Sequence, residues 1–264
     1  MRKFYLFALL VLMVLLGCQL QMRPSDEQHQ QEGVVLDRYD RVESLYLTMA
    51  DFAALHQMRT DYPMQTRTLI ENVLQLGPVD DSDINNRLLL YFQDSTLQAI
   101  IDEVARQYEN TDALQQQLTY AFRRLGRMLP DMKMPSFYTQ IGSLDQSIIV
   151  SDTLVGISLD KYLGKDYPAY LRYGYTERQR RMMTSEYIVP DCLSFYLLSL
   201  YPLSASDTLM ASRRWHMSKI QAVVNQAMGR RVFSNDSIIM LERHLASHPH
   251  FPADQLLRLD SIPQ

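Results

Sequence analysis

The sequence predicts an α+β fold: one mostly helical domain with a small central antiparallel sheet. Two observations carry this. Apolar residues recur at helical spacing over much of residues 39–129 and again over 186–247. Between them, residues 136–141, 147–150 and 154–159 are short runs rich in β-branched and aromatic side chains, separated by the turn signals Gly142-Ser143 and Ser151-Asp152. Helices flanking a cluster of short strands describe α+β.

Each element has its own signal. Over residues 39–55, Val42, Leu45, Tyr46, Met49, Phe52 and Ala53 fall on helical spacing, and Tyr62-Pro63 ends the pattern. A helix over 66–75 stops at Gly77-Pro78. The segment 82–94 starts from an acidic cluster, Asp80-Asp81-Ser82-Asp83, that offers N-caps. Helices follow over 96–109 and 112–129, with Asp112 as a cap and Pro130 as a stop. After the strands, residues 162–168 read as a loop. Helices resume over 186–201, 205–228 and 235–247, the last capped by Ser234 or Asn235. Pro249, Pro252 and Pro263 punctuate the tail.

The N-terminus has a different character. Arg2 and Lys3 precede an unbroken apolar run, residues 4–16, which ends in Leu15-Leu16-Gly17-Cys18. The run falls short of the roughly 20 residues that span a bilayer, so it describes a secretory leader. The Leu-x-Gly-Cys ending resembles a bacterial lipobox. That resemblance implies acylation of Cys18, cleavage after Gly17, and a lipid anchor on the mature N-terminus. The expected organisation is a leader over 1–17, a polar tether over 18–33 and a domain over 34–264. Gln19, the residue after the cysteine, is not acidic, which favours the outer membrane and a periplasm-facing domain.

Composition narrows the function classes. Apolar residues make up 47% of the chain, enough for a core. The formal charge is −4 and drops further when Arg2 and Lys3 leave with the leader, so no nucleic-acid partner is expected. With Cys18 acylated, Cys192 has no partner in the chain, and its apolar neighbours mark it as a core residue. No Gly-x-Gly-x-x-Gly or Walker loop occurs, so no nucleotide cofactor is indicated, and Gly-x-Ser-x-Gly is missing as well. His-Glu-x-x-His is also missing. His244, His248 and His250 are the one histidine group with ligand-like spacing, though a histidine near a helix C-terminus is favoured by the dipole alone. Arg178, Arg180 and Arg181 form a basic knot suited to a carboxylate-bearing partner or anionic lipid, or to pairing with Glu177 and Glu186. Asp152, Asp160, Asp166 and Asp191 share the central region with many tyrosines. Such acids more often cap turns and helices than act in catalysis.

The run Ile157-Ser158-Leu159-Asp160-Lys161-Tyr162-Leu163-Gly164-Lys165-Asp166-Tyr167-Pro168, then Arg180-Arg181-Met182 and Glu186-Tyr187-Ile188-Val189-Pro190-Asp191, resembles the gliding-motility lipoprotein B (GldB) family. The resemblance implies a cell-envelope lipoprotein associated with the motility and secretion apparatus. It also implies similarity to a thermolysin-like zinc-peptidase scaffold in which residues 186–201 stand where the zinc helix belongs, here with no histidine. The expected function is therefore non-catalytic binding of other envelope proteins, with Tyr162, Gly164, Asp166, Tyr167, Pro168, Arg178, Arg180 and Arg181 as the recognition surface and no cofactor. The competing reading is a hydrolase using metal held by His244, His248 and His250. A third is a lipid or glycan carrier.

Overall fold

The computed structural model describes residues 33–151, 153–203, 209–248 and 250–259. The leader, Cys18 and the rest of the tether before Gly33 lie outside the described residues. From Val34 onward the chain forms one compact unit. No helix among the described residues is long and apolar enough to cross a membrane.

The first half is helical. A two-residue strand, β1 (Leu36–Asp37), leads into α1 (Tyr39–Met49), α2 (Phe52–Thr60) and α3 (Pro63–Arg67), which runs on into a π-turn over Thr68–Val73. The continuous helix expected over 39–55 is broken in two. Ala50 adopts a left-handed conformation (φ 51°), and the Asp51 carboxylate caps the new helix by accepting the Ala53 and Ala54 N–H groups. Helices α4 (Ile84–Tyr91), α5 (Ser95–Gln107) and α6 (Asp112–Met128) follow. Asp94 caps α5 through its side chain. Asp112 is the first helical residue of α6 rather than its cap, which is Thr111.

The strands β2 (Ser136–Gln140), β3 (Ile148–Val150) and β4 (Leu154–Ser158) lie where the sequence places them, but the expected antiparallel arrangement is wrong. The sheet is mixed, in the order β1-β2-β4-β3. β1 and β4 pair with β2 in parallel, and only the β3–β4 hairpin is antiparallel. After β2 the chain skips one strand position to lay β3 at the edge, then folds β4 back into the gap. Neighbouring side chains on β2 point to opposite faces. Tyr138 meets Tyr39 of α1 on one face, and Phe137 meets Phe122 of α6 on the other, where Tyr196 also packs.

Past β4, a single 3-10 turn (Leu159–Tyr162) leads to α7 (Pro168–Arg172), α8 (Glu177–Arg180) and a second 3-10 turn (Ser185–Tyr187). Helix α9 (Ile188–Leu200) is buried on most sides, as its apolar composition requires, and packs on β3, β4, α6 and the following helix. That helix, α10 (Met210–Met228), ends at Gly229 in the left-handed region. Asn235 caps α11 (Asp236–Ser247) by accepting the Ile238 N–H. A short α12 (Ala253–Arg258), which the sequence reading did not predict, lies between Pro252 and Pro263 near the end of the described chain.

Candidate functional site

The segment from Asp160 to Tyr187 forms a strap over the C-terminal ends of β2 and β4, and its rigidity begins with buried carboxyl groups. Asp160 is fully buried. Its Oδ1 accepts the Gly142 N–H at 2.8 Å and its Oδ2 the Leu144 N–H at 2.5 Å. These bonds fix a turn in which Ser143 and Leu144 both hold positive φ, a strained arrangement for non-glycine residues. Burial pushes the Asp160 carboxyl upward, and the two backbone donors and Lys161 oppose it. Glu43 of α1 is also fully buried and accepts the Ile141 N–H through Oε2 at 2.9 Å. Burial raises its carboxyl well above the usual range, and Asp160 and Asp40 add to that. Asp40 is held by Nε and Nη2 of Arg38, one to each carboxylate oxygen, and by the Thr139 hydroxyl. The ends of parallel strands are the usual ligand position in an open sheet. In this chain three carboxyl groups occupy that position: both oxygens of Asp40 and of Asp160 accept from protein donors, whereas Glu43 gives only Oε2 to a donor and keeps Oε1 buried without a partner among the described residues.

From this base the strap is tied down residue by residue. The Tyr170 hydroxyl donates to the Asp160 carbonyl at 2.7 Å and accepts the Leu163 N–H at 2.8 Å. Lys161 Nζ and the Tyr175 hydroxyl both donate to the Leu144 carbonyl. Gly164 sits at φ 111°, a conformation that glycine supplies without strain. It bonds to the Met183 carbonyl and accepts the Tyr167 N–H. The capping box of Thr176 and Gln179 then starts α8.

The strap walls an open groove of about 660 Å³, lined by Leu163, Gly164, Lys165, Asp166, Tyr167, Arg181, Thr184, Ser185, Glu186 and Tyr187. A second cleft of about 700 Å³ shares Ser185 and Glu186 and continues past Tyr120 of α6 to Met228 and Arg230. Of the predicted surface, Gly164, Asp166, Tyr167 and Arg181 come together here, and Pro168 flanks them as the first residue of α7. Tyr162 does not belong on the surface. It is 1% exposed, because its ring fills the core and its hydroxyl donates to Asp191 Oδ2 at 2.9 Å. Arg180 is mostly covered and acts from beneath, donating to the Lys165 carbonyl at 2.8 Å beside Asp166. Arg178 is exposed on α8 away from the groove lining, and Arg181 pairs with Glu177. Sequence reasoning left Leu163, Lys165, Thr184, Ser185, Glu186 and Tyr187 out of the surface. The quoted motif contained Lys165 and Glu186-Tyr187, but nothing in the spacing showed that the two stretches face each other.

The donor set does not fit zinc at the position that the thermolysin-like comparison implies. Helix α9 offers only Asp191 and Cys192 in its first turns. Asp191 is engaged by Tyr162, and burial raises the Cys192 thiol well above its usual value, against thiolate formation. The histidines form a helix end instead. The His244 and His248 rings stack at 4.4 Å, His248 Nδ1 lies 2.9 Å from the His244 carbonyl, and Phe251 packs edge-on. Among the described residues no group of three His, Cys, Asp or Glu side chains could hold a metal ion. The groove therefore offers cations, carboxylates, hydroxyls and aromatic faces for recognition.

No curated protein and no solved structure matches the chain. A family model described as gliding motility protein GldB matches residues 23–231, which include the strap and every element from β1 to α10. The chain belongs to that family.

Proposed function

We propose that this GldB-family envelope protein is a non-catalytic lipoprotein that captures another envelope protein in the groove between the strap and the Ser185–Tyr187 turn. Cys18 carries the lipid, and the domain faces the periplasm from the outer membrane. One observation carries the reading: an open, mixed-charge groove with Tyr167 and Tyr187 on its walls, backed by a strap whose buried polar groups fix it in place. Aromatic side chains beside arginine on a rigid backing are the usual composition of protein recognition surfaces. The double variant Tyr167→Ala with Arg181→Glu should stay cooperatively folded, with a melting temperature lowered by the lost Tyr167–Tyr170 packing and the lost Arg181–Glu177 pair. A photo-crosslinking residue at Lys165 in the native envelope should give a discrete adduct that the double variant loses. An unchanged adduct would sink the proposal. Mass spectrometry of the N-terminal peptide tests the anchor and should find acylated Cys18.

A further inference from the structure

We infer that the partner is held through an extended acidic and apolar segment, which runs on from the strap groove into the cleft between α6 and the end of α10 and sets a carboxylate on Arg230. The inference rests on the groove reading above and names the chemistry that the groove takes. The two depressions share Ser185 and Glu186, so one extended chain crosses both. The floor of the cleft is the outer surface of the core. Leu114 and Ile188 are buried, and Tyr108 is fixed by its hydroxyl bond to the Tyr162 carbonyl at 2.7 Å. The rim is aromatic and stiff. Tyr120 is 54% exposed, Arg124 Cζ lies 5.5 Å from its ring centre, and Arg124 Nε and Nη2 both donate to the Gln226 carbonyl, at 3.2 and 2.8 Å. An apolar side chain laid on this floor sheds its water without the cleft first having to order itself.

Charge identifies the occupant. Arg230 and Arg231 follow Gly229, the left-handed residue that ends α10. Arg231 is spent on Glu242, whose Oε2 accepts from its Nε at 2.9 Å. Arg230 is exposed in the cleft lining and has no ion-pair or hydrogen-bond partner among the described residues. The other charged side chain of this lining is Glu186, likewise without a partner among the described residues. A carboxylate is repelled at Glu186, where the two depressions join, and drawn to Arg230, so the segment has a direction. The exposed carboxamides of Gln116 and Gln117 supply donors and acceptors to a main chain lying across α6. A lipid tail would leave all four of these groups unmatched.

The test places a photo-crosslinking residue at Ala113, exposed in the cleft lining, in the whole protein in its native envelope. The Lys165 position described above is run beside it. Both positions should give adducts with the same protein. Mass spectrometry of the Ala113 adduct should map the link to a segment in which Asp or Glu lies close to a large apolar side chain. Arg230→Glu should lower that adduct about tenfold, the effect of setting a like charge against the carboxylate, and Arg230→Lys should keep most of it. Melting curves check that both variants fold. An adduct at Lys165 with none at Ala113 overturns this inference and leaves the strap groove standing. No adduct at either position overturns both. A link to another copy of this chain, to lipid, to glycan or to a segment without acidic residues overturns the choice of occupant. So does an Ala113 adduct that Arg230→Glu leaves unchanged.

Discussion

Raising the pH should destabilise the protein through Asp191, and the size of the effect follows from its surroundings. Burial lifts this carboxyl from the ordinary 3.8 to about 7, with the Tyr162 hydroxyl bond opposing the rise. The folded chain therefore keeps a proton that the unfolded chain has already released. Between pH 4 and 7 the folded state binds more protons, so stability falls as pH rises and levels off above 7. At about 1.4 kcal/mol per pH unit the ceiling is about 4 kcal/mol. Asp191 keeps some contact with solvent, which screens the loss to about 2 kcal/mol. Glu43 and Asp160 also hold raised values, so the wild-type curve contains their contributions too. The difference between wild type and Asp191→Asn isolates Asp191, because asparagine stays neutral and still accepts from Tyr162. Urea midpoints measured from pH 5 to pH 8 should converge at the acid end, with the variant the more stable at pH 8. Parallel curves would show that Asp191 is already ionised in the folded protein and that the burial argument fails.

Other predictions follow from the same packing. A Cβ at Gly156 would lie 2.5 Å from the Tyr138 ring that crosses it in the paired strand. Gly156→Ala should therefore cost about 1–3 kcal/mol by thermal unfolding, and Tyr138→Leu in the same chain should recover part of it. Asp160→Ala leaves the Gly142 and Leu144 N–H groups without their acceptor. It should cost about 2–4 kcal/mol in denaturant and speed hydrogen exchange at those two amides before others. Nothing lies within 4 Å of a Cβ at Gly164, so Gly164→Ala tests backbone conformation alone. It should cost about 1–2 kcal/mol, and partner crosslinking from Lys165 should fall with it.

Helices with one apolar face were readable because tertiary packing uses the same face. The expected 112–129 became Asp112–Met128, and of the two caps left open, Ser234 and Asn235, the chain uses Asn235. The break at Ala50-Asp51 was not readable. A left-handed alanine carries no sequence mark, and Asp51 within an apolar rhythm looks like an ordinary exposed position. The sheet failed in topology for a similar reason. Leu36–Asp37 is too short to show alternation, so the strand beside β2 went unread, and the parallel β2–β4 pairing that makes the sheet mixed has no mark in either strand. Short gaps between strands suggested hairpins throughout, whereas the 141–147 loop skips a strand position. In the site, the motif around Tyr162 located the strap but could not sort its residues by depth. Tyr162 and Tyr167 look alike in sequence, and only the bond to Asp191 and the core packing send the first inward.

The way the chain meets its domain sets how the protein carries mechanical load. Tension applied at residue 33 acts first on the Val34 and Leu36 amides and on a β1–β2 pairing two residues long. These bonds break in sequence as the pull climbs down α6, while the carboxyl-clamped strap and the α9 core lie beyond that path. A sharp tug would peel a few residues and lengthen the leash, and the groove beside the strap would keep its shape until the pull reached α1. The attachment would then work as a sacrificial spring in front of the rest of the fold.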